Sequence, residues 1–107
     1  MIGEKELVEM IDRLEADALQ RWIDHGWVLP QRDHDSVRFD ELDVARVRLI
    51  CELHYELLIE EDSMSVVLSL MDQLYEARRS LRTLLRAVAA QPEEVRARIA
   101  THLEAER

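Results

Sequence analysis

The sequence is poor in the residues that punctuate a chain, with two glycines (Gly3, Gly26) and two prolines (Pro30, Pro92) among 107 residues. Glycine and proline are the strongest breakers of regular structure, so their scarcity lets helices occupy most of the length. That length corresponds to a single domain, and the expected fold class is all-α. Cysteine is represented by Cys51 alone, which excludes an internal disulfide and any site built from several thiolates. Long apolar runs are also missing. Nothing approaches the ~20 consecutive apolar residues of a membrane span. The stretch from Ile2 to Asp12 is broken by Glu4, Lys5, Glu6 and Glu9, which does not read as a secretory leader. A soluble, cytoplasmic chain without a membrane partner is expected.

Positive charge is scarce where a nucleic-acid reader needs it. The formal net charge is −9; residues 1–40 carry five basic and ten acidic side chains, residues 41–75 two and eight, and residues 76–107 seven and five. Binding a duplex requires Lys or Arg to displace counterions from phosphates, so the front two-thirds repels nucleic acid and attracts a basic protein surface. Catalytic constellations are absent too. Two glycines build no phosphate loop, no nucleophile-elbow pattern occurs, and His25, His34, His54 and His102 are scattered without evident base or nucleophile partners. Cys51 and His54 stand three apart but have no third ligand nearby. Neither catalysis, a metal nor a cofactor is expected.

Amphipathic spacing is plentiful. Leu7, Val8 and Ile11 share one helical face, as do Leu19, Trp22 and Ile23, giving two short helices, Glu4 to Ile11 and Glu15 to Asp24, joined by Asp12, Arg13 and Leu14. Gly26 supplies a left-handed stop after the second. Trp27-Val28-Leu29 and Val37-Arg38-Phe39 then read as the strands of a small β-wing around a polar loop. Trp22 and Trp27 are assigned to packing between the second helix and the wing. Asp40 caps a third helix expected to reach about Ile59, and Asp62 and Ser63 offer caps for a fourth, from Met64 to about Ala90. In that fourth helix Val67, Leu70, Leu74, Ala77, Leu81, Leu84 and Val88 recur at alternating steps of three and four, a seam that needs a second helix. Pro92, Glu93 and Glu94 open a terminal helix to about Glu104, with Val95, Ile99 and Leu103 on one side. The spacing admits packing within the chain or across to another copy, and a homodimer is the expectation.

The order of helix, turn, helix, His25-Gly26-Trp27-Val28-Leu29-Pro30, polar loop, Val37-Arg38-Phe39-Asp40 and long helix resembles the winged helix-turn-helix head of MerR-type regulators. The stretches from Arg46 to Leu57 and from Ser65 to Leu74 are similar to those of the CbpM-like chaperone-modulatory proteins, a resemblance spanning roughly residues 6 to 90. It implies a MerR-like winged head followed by long helices. It also implies a protein-binding role, inhibition of a DnaJ-like co-chaperone of the CbpA type by binding its J-domain and blocking stimulation of Hsp70. A J-domain presents basic residues to an acidic face of Hsp70, a surface that an acidic competitor can occupy. Asp72 lies in the second of those stretches beside Met71, an adaptable apolar neighbour, and Tyr75 follows one turn after Met71. These three, with Glu56, Glu60 and Asp62 from the acidic stretch between the two long helices, are the candidate partner-binding residues. The rival expectation is a MerR-like DNA-binding regulator, whose second helix and wing would have to gather Arg21, Arg32 and Arg38 into one cationic ridge.

Overall fold

A computed structural model describes residues 1–107. The chain is mostly helical, with five α-helices and a small three-stranded antiparallel sheet. Two compact units are present, Met1–Leu68 and Ser69–Arg107, and the division falls inside a helix, α4 (Glu61–Ala89).

The first unit opens with β1 (Ile2–Gly3), α1 (Glu4–Met10) and α2 (Ala16–Asp24). Leu7, Leu19 and Trp22 are fully buried, the inward face that their spacing predicts. Arg13, with φ 69°, turns the chain between the two helices. Gly26, with φ 80°, follows α2 in the left-handed conformation that glycine adopts cheaply. The hairpin differs from expectation. Its strands are β2 (Gln31–Asp33) and β3 (Ser36–Phe39), whereas Trp27-Val28-Leu29 forms no strand. Trp27 and Val28 are buried there as core residues, and the polar segment pairs instead, because its ladder uses backbone groups across a two-residue turn, His34-Asp35. β1 supplies a third strand, pairing Ile2 with Phe39 and Gly3 with Arg38.

Asp40 caps α3 (Glu41–Cys51) as expected, in a full capping box: its carboxylate accepts from the Asp43 amide at 2.8 Å, and the Asp43 carboxylate accepts from the Asp40 amide at 3.0 Å. Burial is the main cause that raises the Asp43 pKa above its ordinary value. The helix does not run regularly to Ile59. It passes into a π-helical stretch, Glu52–Glu56, and stops at Leu58, whose φ is 57°. The Leu57 amide donates to the Glu52 carbonyl and the Ile59 amide to the Leu53 carbonyl, so the exposed backbone of this unusual end is satisfied. α4 then starts at Glu61, not Met64, so Asp62 and Ser63 lie inside its first turn. The core of the unit is completed by Phe39, Val47, Ile50, Met64 and Leu68.

In the second unit, α4 continues to Ala89 and α5 (Glu93–Ala105) follows Pro92, close to the expected bounds. No side chain between Ser69 and Arg107 is buried; Met71, Val88, Val95 and Ile99 are half-buried and the rest are exposed. No helix of the chain is long and apolar enough to cross a membrane.

Candidate functional site

Within the first unit, a polar clasp holds the start of α4. Arg21 donates through Nη2 and Nε to the two Glu61 carboxylate oxygens at 2.9 and 3.3 Å, and the Trp22 indole Nε1 reaches Glu61 Oε1 at 3.4 Å. The Trp27 indole donates to Ser65 Oγ at 3.0 Å, and Arg46 Nε to the Trp27 carbonyl at 3.0 Å. The hydrogen bonds from Arg21 hold the Glu61 carboxyl below its ordinary pKa, and the same pair raises that of Arg21. Replacing Glu61 with alanine is expected to cost about 1–2 kcal/mol, mostly by leaving the indole of Trp22 without its acceptor, since a half-exposed ion pair contributes little. Because the folded pKa is depressed, the ion-pair part of this contribution is present above the unfolded value and lost as the pH falls through the folded one, whereas a neutral carboxyl still accepts from the indole. The gap between wild type and Glu61→Ala in urea midpoint should therefore be widest near neutrality and narrow, without closing, in acid.

The clasp decides the fate of the cationic ridge. Arg21 is committed to Glu61. In the hairpin Arg38 pairs with Gln31 and Arg32 with Val37. Directly paired residues share a face while neighbours along a strand alternate, so Arg32 and Arg38 lie on opposite faces of the sheet. The three arginines form no contiguous ridge.

Trp22 and Trp27 are core residues, at 0% and 8% exposure. The Cys51 thiol is buried, which pushes its pKa up to about 11 and keeps it protonated, and His54 Nδ1 lies 3.0 Å from the Ile59 carbonyl. No three His, Cys, Asp or Glu side chains converge as metal ligands. A cleft of about 410 Å³ between the α1–α2 turn and the π-helical stretch is lined by Asp12, Arg13, Arg48, Cys51, Glu52 and Tyr55. Its cations and carboxylates are mixed, and its thiol is protonated, so it offers no activated nucleophile.

Of the candidate partner-binding residues, Glu56, Glu60 and Asp62 belong to the first unit and are exposed. Met71, Asp72 and Tyr75 belong to the second, where Met71 is half-buried, Asp72 exposed and Tyr75 65% exposed. On α4 they do not share the seam. At about 100° per residue, Asp72 and Tyr75 fall on the side of the helix away from Leu70, Leu74, Leu81 and Leu84. Those four leucines are 52–60% exposed. Leu85, 57% exposed, widens the apolar face and was not signalled by the strict repeat. Sequence reading also passed over Arg79, Arg82 and Arg86, although the run from Ala77 to Pro92 holds no carboxylate, a signal visible in the sequence.

Comparison with protein families, curated proteins and solved structures finds no match for this chain.

Proposed function

We propose that this chain is a protein-binding adaptor: it pairs with a second copy along α4 and restrains a DnaJ-like co-chaperone of the CbpA type by occupying its J-domain, so that Hsp70 is not stimulated. The observation that carries the protein-binding reading is a 39-residue unit, Ser69–Arg107, without one buried side chain, although leucines recur through it at helix-pairing intervals. Helices in proteins owe most of their stability to packing of an apolar face, and this face has no cover within its unit.

Charge supports the choice of partner. The first unit carries seven basic and seventeen acidic side chains. Such a surface draws a basic protein domain and repels phosphate. The order of helix, turn, helix and hairpin in that unit is what supports a MerR-like winged head, and the family resemblance of Arg46–Leu57 and Ser65–Leu74 is what points to a J-domain. The residues proposed to meet it are Asp72, Met71 and Tyr75, with Glu56, Glu60 and Asp62. The rival, a MerR-like DNA-binding regulator, is disfavoured because Arg21 is neutralised by Glu61 and the hairpin arginines diverge.

Titration of an isolated J-domain into the full chain, followed by calorimetry, is expected to give a saturable complex. Asp72→Arg is expected to weaken it about tenfold with an unchanged far-UV spectrum, the scale of one reversed charge at an interface. Absence of binding by every DnaJ-like J-domain tried would remove the co-chaperone reading. Tight, salt-sensitive retardation of a DNA duplex would replace the adaptor with a gene regulator.

A further inference from the structure

On the side of α4 away from the leucine seam, Tyr75, Arg79, Arg82 and Arg86 follow one another at steps of four, three and four residues. They make one stripe of three turns, about 16 Å long. All four are exposed, Tyr75 to 65%. No ion pair engages the three guanidinium groups, and the nearest carboxylates in sequence, Glu76 and Glu93, lie outside the segment from Ala77 to Pro92. The helix dipole accounts for Arg86 alone, because its favourable field fades beyond the last turn, and Arg79 and Arg82 stand further back. Tyrosine and arginine are, with tryptophan, the side chains enriched at the energetic centres of protein interfaces, one as a rigid aromatic anchor and the other as a planar, multidentate donor.

We propose that this stripe is a second docking surface, and that its occupant is an acidic α-helix of a partner protein, with carboxylates repeating at steps of three and four so that they lie opposite the arginines. Tyr75 also belongs to the surface proposed for the J-domain and Asp72 lies on the same side of α4, so the two occupants compete at the Tyr75 end; the inference itself rests on Arg79, Arg82 and Arg86 and needs no J-domain. Charge complementarity selects the occupant. A duplex or an anionic bilayer is an extended array of phosphates that would also meet the field of a chain with net charge −9, whereas one helix presents its carboxylates only along the stripe. Helical spacing matches helical spacing: ridges at three- and four-residue steps are the rows by which helices interdigitate.

The test uses two synthetic helical peptides of identical composition, one with its glutamates on a single ridge and the other with them distributed around the helix. Each is titrated by fluorescence anisotropy into the full chain, beside a DNA duplex and vesicles containing phosphatidylserine. The ridge peptide is expected to bind at least about fivefold more tightly than its isomer, and the double variant Arg79→Glu, Arg82→Glu to lose at least about tenfold, with binding weakening as salt is raised. Tyr75→Ala is expected to weaken it at high salt as well as low, which an unspecific ion atmosphere would not produce. Equal binding of the two isomers, indifference to the double reversal, or tighter binding of the duplex or the vesicles would overturn the proposal. No J-domain is present in these titrations, so their outcome is separate from that of the calorimetric test.

Discussion

Replacing Leu74 and Leu81 together with glutamate is expected to leave the chain monomeric at concentrations where the proposed pairing along α4 makes the wild type a dimer. Both leucines lie on the α4 seam and are 52% and 54% exposed, so pairing would remove roughly the remaining half of each from water. Half of a leucine's burial is worth about 1 kcal/mol, and a dimer covers the two positions twice, about 4 kcal/mol in all, or a thousandfold in the dissociation constant. Burying carboxylates in their place makes the loss larger. Light scattering reads the outcome as mass, with 12.6 kDa for one chain. Far-UV circular dichroism should report a parallel loss of helix, because an isolated helix without tertiary cover is marginal in water. A wild type already monomeric and as helical as the variant would show that the seam is not an interface between copies.

Trp22→Ala is expected to destabilise the first unit by about 3–5 kcal/mol, the range for emptying a fully buried aromatic site. Trp22 is 0% exposed, and its indole is also one of the donors that hold Glu61 at the start of α4. Small domains have only about 5–15 kcal/mol in total, so most of the margin disappears. Urea unfolding followed through the fluorescence of Trp27, buried in the same unit, should show a midpoint lower by about 2–5 M for a slope near 1–1.5 kcal/mol/M. A shift of a few tenths of a molar would mean that the site collapses around the deletion, or that Trp22 is less enclosed than its burial indicates.

What sequence reading captured depended on signals with a local cause. Asp40 was legible as a cap because a short carboxylate ahead of a helical run can accept from its first amides, and Gly26 as a stop because a positive φ suits glycine. Trp22 and Trp27 were legible as core from their place on apolar faces. The failures are long-range. β1 has two residues and owes its existence to pairing with Phe39 and Arg38, thirty-odd positions away. Gln31–Asp33 became a strand through backbone pairing around a tight turn, whereas Trp27 and Val28 owe their apolar texture to burial and Leu29 beside them stays 77% exposed. In sequence Glu61 is one of three consecutive acids, Glu60-Glu61-Asp62, and only the fold brings Arg21 and Trp22 to it from about forty residues back. At Leu58 a left-handed residue ends a π-helical stretch with no glycine to announce it. For the candidate surface, the seam was legible from its period. The arginine stripe is legible in the same way, from steps of three and four in a run without carboxylates.

The proposed function depends on the surface of α4 beyond Leu68 being covered by other protein molecules when the chain is at work. Amide hydrogen exchange across residues 69–89, measured as the protein concentration is raised, tests this most directly. The account predicts protection that climbs with concentration and centres on Leu74 to Leu84. Exchange that is equally fast at every concentration, with or without a J-domain or an acidic helix present, would contradict it.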